Sequence, residues 1–130
     1  MKLTVEHNPS INAWDLKHED VRLVNDESIA EWRRQVMEQF EPLAGRHAYV
    51  LIDLKSFELS PAFAQKYSEV GREIRSKFDL TALRYGDTDG WTAMTVELQG
   101  AIGNYASVVF ADRDAALAAL TRLRAQPAKG

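Results

Sequence analysis

Three acidic turns are the places in this sequence where residue types and spacing could support chemistry. They lie at 53–60, 87–91 and 112–114, and the first and last directly follow apolar runs typical of strands. In an open α/β sheet, ligands bind beyond the carboxyl ends of the strands, so the three turns should share one edge. The carboxylates of Asp53, Asp87 and Asp112 could then hold a divalent cation, because hard cations prefer oxygen ligands. The alternative, which we favour, is that each acid caps the helix that follows it.

Two serines, Ser56 and Ser60, stand close to Asp53 in the segment "IDLKSFELSPAF". A serine nucleophile needs a base within hydrogen-bond reach. Two of the three histidines lie in the first 18 residues, and His47 begins a predicted strand at the edge opposite Asp53. The sequence contains no "GxSxG", "HExxH", Walker or "GxGxxG" motif. We therefore expect a protein that is not an enzyme and that uses no cofactor.

Ser60 is followed by Pro61, a pair typical of a helix start. The serine hydroxyl can accept a hydrogen bond from a free backbone N–H, and proline fits the first helical position because it has no N–H to satisfy. The functional alternative is phosphorylation of Ser60, since a helix N-terminus tolerates added negative charge. We favour the cap.

Trp91 is the one bulky aromatic residue that could lie outside the core, next to Gly90. It could form the lip of an apolar pocket. It is also in helical register with Met94 and Leu98, which favours a place in the core.

Composition restricts the function classes further. The 130 residues carry a formal charge of −3, whereas a general nucleic-acid-binding protein normally has a basic excess. The chain has no cysteine, which excludes disulfides, thiolate catalysis and cysteine-based zinc sites. No window approaches the roughly 18 apolar residues of a membrane span, and the first residues lack the apolar block of a signal peptide. We expect one cytoplasmic domain over 1–130, with short strands in 1–24 and a frayed tail at 126–130.

The elements that must position these residues follow from hydrophobic periodicity. From Asn25, polar residues able to cap a helix are followed by apolar residues that step by 3, 4, 4 and 3, which predicts a helix ending near Pro42 and Gly45. "HAYVLIDL" and "ASVVFA" are predicted buried strands, and "TALRYG" is a shorter one. Further helices are predicted over roughly 60–78, over 91–105 and in "DRDAALAALTRLRAQ", the last capped by Asp112 or Asp114. Strands alternating with about four helices predict an α/β fold with one mainly parallel or mixed sheet.

The order of these elements resembles the STAS-like fold of anti-sigma factor antagonists, and is most similar to its uncharacterised SpoIIAA-like bacterial branch. The similarity runs from "YVLIDLKSFELSPAF" through "TALRYG" to "ASVVFADRDAALAAL", within residues 25–124. In phosphorylated members of this family a strand ending in Asp leads to a "DSSG" turn whose serine is modified by a kinase. Asp53 matches that strand end. "FELSPA" departs from the turn, and only Ser60 corresponds to the modified serine.

The resemblance implies a regulatory module that acts by binding a protein partner or a small apolar ligand. Its contact residues would be Asp53, Ser56, Ser60 and Trp91, with Ser60 also the candidate for phosphorylation. Two alternatives from other classes are a metal-dependent enzyme that uses the three aspartates and a structural homodimerisation domain.

Overall fold

The computed structural model describes residues 1–86 and 109–125. The strands are β1 (Lys2–Asn8), β2 (Ala13–Glu19), β3 (Val21–Leu23), β4 (Ala48–Asp53), β5 (Phe57–Leu59), β6 (Leu80–Tyr85) and β7 (Val109–Phe110). The α-helices of this part of the chain are α1 (Asp26–Gln39), α2 (Ala64–Lys77) and α3 (Arg113–Ala125), and short 3₁₀ turns cover Glu41–Leu43 and Pro61–Phe63. The helix predicted over 91–105 and the predicted tail at 126–130 lie outside the described residues.

Five strands form one mixed sheet in the order β1-β2-β4-β6-β7. Strands β1 and β2 are antiparallel, whereas β2, β4, β6 and β7 run parallel to one another. The prediction of an α/β fold with a mainly parallel or mixed sheet is confirmed. Strands β3 and β5 form a separate two-stranded parallel sheet.

Helices cover both faces of the five-stranded sheet, which explains why β4 is nearly continuous in apolar residues. Val50 belongs to the core cluster that includes residues of α1 and α2, while its neighbour Leu51 belongs to a second cluster with residues of α3. Side chains that alternate along one strand therefore enter two different cores. Among the described residues, no helix is long and apolar enough to cross a bilayer.

Helix α1 follows the predicted apolar stripe, with Ile29, Trp32 and Val36 buried. It begins with a capping box in which the Asn25 side chain accepts from the Ser28 N–H at 2.7 Å and the Asn25 N–H donates to the Ser28 hydroxyl at 3.1 Å. The prediction that polar residues from Asn25 cap this helix is confirmed.

The segment between β4 and α2 differs from the prediction of a simple turn. Phe57–Leu59 is a strand, paired in parallel with Val21–Leu23. Phe57 and Leu59 are buried and Glu58 between them is exposed, so the segment has strand alternation over only three residues. That length is too short for periodicity to identify. Helix α2 consequently begins at Ala64, four residues later than predicted.

Candidate ligand-binding cavity

A cavity of about 60 Å³ lies between the five-stranded sheet and the helices α1 and α2. Residues of β2, β4, β6 and both helices form its walls, and most of them are apolar. The apolar lining includes Leu16, Trp32, Val36, Phe40, Val50 and Ile74.

The residues that line the cavity are spaced so that those on α1 share one helical face and those on β2 share one face of the sheet. Trp32, Val36 and Phe40 are four residues apart along α1 and its C-cap, so they lie on one helical face. Leu16 and His18 are two residues apart on β2 and point to the same face of the sheet. A single face of α1 thus meets a single face of the sheet around the cavity.

His18 is a buried polar group of the cavity wall, with 8% of its surface exposed. Its Nδ1 lies 2.7 Å from the backbone carbonyl oxygen of Asp53, which can only accept, so Nδ1 carries the proton. Its Nε2 accepts from the Trp32 indole N–H at 3.4 Å. Burial lowers the pKa of His18 from 6.5 to about 4, because the charged ring would lose its hydration. The ring is therefore neutral at pH 7, with both nitrogens in hydrogen bonds.

Aromatic rings pack on His18 and Trp32, two residues of the cavity wall. The His18 ring packs on Phe57 with centroids 4.8 Å apart, and Trp32 packs on Tyr67 at 5.4 Å. Two cationic side chains, Arg75 and Arg84, also line the cavity, while no carboxylate does so among the described residues. The site combines an apolar interior with cationic and imidazole groups in its wall.

Asp53 is the last residue of β4, and Ser56 and Ser60 lie between β4 and α2, but no contact brings the three side chains together among the described residues. Asp53 reaches the cavity wall through its backbone, whose carbonyl accepts from His18. Ser56 is exposed, has a left-handed backbone with φ of 61°, and its carbonyl accepts from Val21 N–H at 2.9 Å. These contacts connect the end of β4 and the segment that follows it to β2 and β3.

The prediction that the Ser60 hydroxyl caps a helix is wrong. Ser60 precedes the 3₁₀ turn Pro61–Phe63, with Pro61 at its first position as expected, but the side chain makes no capping hydrogen bond. The Ser60 backbone carbonyl instead accepts from Phe63 N–H at 2.9 Å, and its own N–H donates to Leu23 at 3.0 Å. The backbone hydrogen bonds between β3 and β5 thus fix this corner without the hydroxyl.

In two of the acidic turns an aspartate side chain accepts a hydrogen bond from a nearby backbone N–H, in one case capping a helix and in the other closing a turn. Asp112 accepts from Ala115 N–H at 2.8 Å and caps α3, as predicted. The Asp53 carboxylate accepts from Lys55 N–H at 2.8 Å within its own turn. Asp87 and Trp91 lie outside the described residues. Within residues 1–86 and 109–125, no group of three or more His, Asp or Glu side chains is placed to hold a metal ion.

A partly buried ion pair lies on the opposite face of the sheet. One terminal nitrogen of the Arg113 guanidinium lies 3.0 Å from each carboxylate oxygen of Asp15, joining the start of α3 to β2. Nearby, burial and the negative charge of Asp53 raise the pKa of Tyr85. This cluster fastens α3 to the sheet and does not line the cavity.

The sequence reasoning missed His18 and the cavity that it lines. The available signal was alternation in "AWDLKHE", where Trp14, Leu16 and His18 occupy every second position. A histidine in register with apolar residues is predicted to point into the core.

Comparison of the chain with protein-family models, with curated proteins and with solved structures finds no match in any of the three.

Proposed function

We propose that this chain is a non-enzymatic binding domain with a STAS-like arrangement, and that it takes a small apolar group into the cavity between α1, α2 and the sheet. The observation that carries the proposal is the cavity itself. Apolar cavities with a few placed polar groups are the usual form of small-molecule sites. The neighbouring histidine has both nitrogens engaged, so the interior offers an apolar surface and few free polar atoms.

The size of the cavity restricts the ligand. An engineered apolar cavity of about 150 Å³ binds benzene or xenon, so a volume of about 60 Å³ suits a group of two or three carbon atoms. A short alkyl end of a larger molecule fits this description. The remainder of such a molecule would lie beside Arg75 and Arg84, the two cationic side chains of the lining.

A second depression, of about 400 Å³, is less suited to an apolar ligand. Its lining includes Glu6, Lys17 and Glu19, which are exposed charged residues of β1 and β2. Transfer of an apolar group to such a surface removes little of it from water, and so yields little binding free energy.

The proposal is tested by filling the cavity from β6. Ala82 lines the cavity, and Ala82→Val adds two methyl groups there. Valine is a favourable residue in a strand, so the substitution should be tolerated. Thr81→Val is the matched control, because it places valine at the adjacent position of the same strand, facing the other side of the sheet. Xenon is the first probe. Its binding should perturb methyl resonances of Val36 and Val50 in the wild type and in Thr81→Val, but not in Ala82→Val.

The second readout concerns the natural ligand. Protein purified from its own host should carry a small bound mass in native mass spectrometry, present in Thr81→Val and reduced in Ala82→Val. If xenon leaves Val36 and Val50 unperturbed and no bound mass is found, the proposed function fails.

A further inference from the structure

The outer edge of β1 is occupied by side chains of α1. Within the described residues β1 is the terminal strand of the five-stranded sheet, so one row of its backbone groups has no neighbouring strand. Gln35 accepts a hydrogen bond from Leu3 N–H at 2.8 Å, and Gln39 accepts from Val5 N–H at 3.4 Å. The Gln35 amide nitrogen also donates to the Met1 carbonyl at 3.3 Å. One side-chain amide thus both accepts from and donates to the strand, as a neighbouring strand does.

The spacing of the two glutamines matches the strand that they cover. Positions four apart on a helix are separated by about 6 Å along its axis, and positions two apart on a strand by about 6.8 Å. Consecutive outward N–H groups of β1 therefore meet side chains one turn apart on α1. Gln35 is further held by donating to Glu31 at 3.0 Å.

A free strand edge is a template for pairing with another chain, and proteins commonly block such edges. We infer that Gln35 and Gln39 close the edge of β1, and that this edge is a self-association surface on which β1 of a second copy pairs when the two amides are removed. The inference is independent of the proposed ligand cavity, which lies beneath the helices.

The sequence of β1 favours a second copy as the occupant. In an antiparallel pair centred on Thr4, Leu3 and the partner's Val5 would exchange backbone hydrogen bonds, using the N–H groups that the glutamines now occupy. Lys2 would then face the partner's Glu6, and Thr4 would face the partner's Thr4. Opposite charges and paired threonines are favourable cross-strand neighbours, and the two-fold axis doubles each contact.

The double variant Gln35→Met and Gln39→Met tests the inference, since methionine keeps side-chain length and helix propensity but cannot accept from the strand. Gln65→Met, at an exposed position of α2, is the control for added methionine. In dilute solution the Leu3 and Val5 amides of the double variant should exchange their hydrogens between about twofold and tenfold faster, as expected for one lost hydrogen bond each. At higher concentration, sedimentation should show a dimer for the double variant only.

The charge pattern supplies a second, specific test. Adding Glu6→Lys to the double variant places like charges opposite each other and should weaken the dimer, whereas adding Lys2→Glu together with Glu6→Lys should restore it. If the double variant does not fold, Gln35→Met alone is measured in the same way. A variant that remains monomeric at all concentrations, or a dimer indifferent to these charges, overturns the inference.

Discussion

Lowering the pH from 7 to 5 should destabilise the protein through His18. The ring projects from β2 and is buried between Trp32 and the end of β4. This burial lowers its pKa from 6.5 to about 4. In the unfolded chain the same ring takes up a proton as the pH falls below about 6.5. Between pH 6.5 and pH 4 the unfolded state therefore binds more protons than the folded state. The contribution of His18 to the free energy of unfolding is complete above this window and is lost as the pH falls through it.

The magnitude follows from the two pKa values. One proton bound preferentially to the unfolded state changes the free energy of unfolding by about 1.4 kcal/mol per pH unit. Because this window begins near pH 6.5, the free energy of unfolding should fall by about 2 kcal/mol between pH 7 and pH 5. Carboxyl groups with ordinary pKa values near 4 remain mostly ionised at pH 5 and contribute little. Urea unfolding at pH 7, 6 and 5 measures the difference directly.

A variant without the titrating ring isolates the contribution of His18. His18→Asn retains an N–H donor near the position of Nδ1 but cannot take up a proton, so its stability should change little between pH 7 and pH 5. His7→Asn, at an exposed position, is the matched control for the substitution. Nitrogen chemical shifts of the ring should also show the proton on Nδ1. A His18 ring that titrates near 6.5 in the folded protein, or a His18→Asn variant with the same loss, would refute this reasoning.

Four further variants test the backbone conformation of two glycines and the starts of two helical segments. Gly86→Ala should lower the free energy of unfolding by about 1–3 kcal/mol in urea titrations, since Gly86 has φ of +134° and an added Cβ would lie 3.2 Å from Leu54 N. Gly45 has φ of +83° but an added Cβ would meet nothing within 4 Å, so Gly45→Ala should lower the free energy of unfolding by only about 1 kcal/mol. Asn25→Ala should cost about 0.5–2 kcal/mol and lower the Tm, because it removes one half of the capping box of α1. Ser60→Ala should change the stability by less than about 0.5 kcal/mol in the same titrations, since the hydroxyl makes no capping bond; a larger loss would revive the predicted cap.

The sequence predicts the main α/β elements because each has a long periodic pattern and a chemical signal at its ends. Helix α1 has Ile29, Trp32 and Val36 in helical register and Asn25 as its cap, and α3 is capped by Asp112. β4 has six residues, long enough for its apolar character to identify a strand buried on both faces. These signals are local, so they can be interpreted without knowledge of the tertiary structure.

The features that were missed depend on contacts between residues distant in the sequence. β5 has three residues and is a strand because β3, more than thirty positions earlier, supplies its partner. The same pairing holds Ser60 by its backbone and leaves its hydroxyl without a capping role. The cavity arises from α1, α2 and three strands together. No segment contains the cavity alone, so it could not be predicted from a motif.

His18 bears on both the fold and the candidate function, because it is the one histidine that is buried in the cavity wall. A general base needs a free lone pair and a pKa near the working pH. The Nδ1 proton of His18 is committed to Asp53, the Nε2 lone pair accepts from Trp32, and the pKa is about 4. These same bonds tie the end of β4 to β2 and to α1, which are three of the elements that form the cavity wall. The ring is thus better suited to holding the cavity in shape than to moving a proton, and this supports the binding role that we propose.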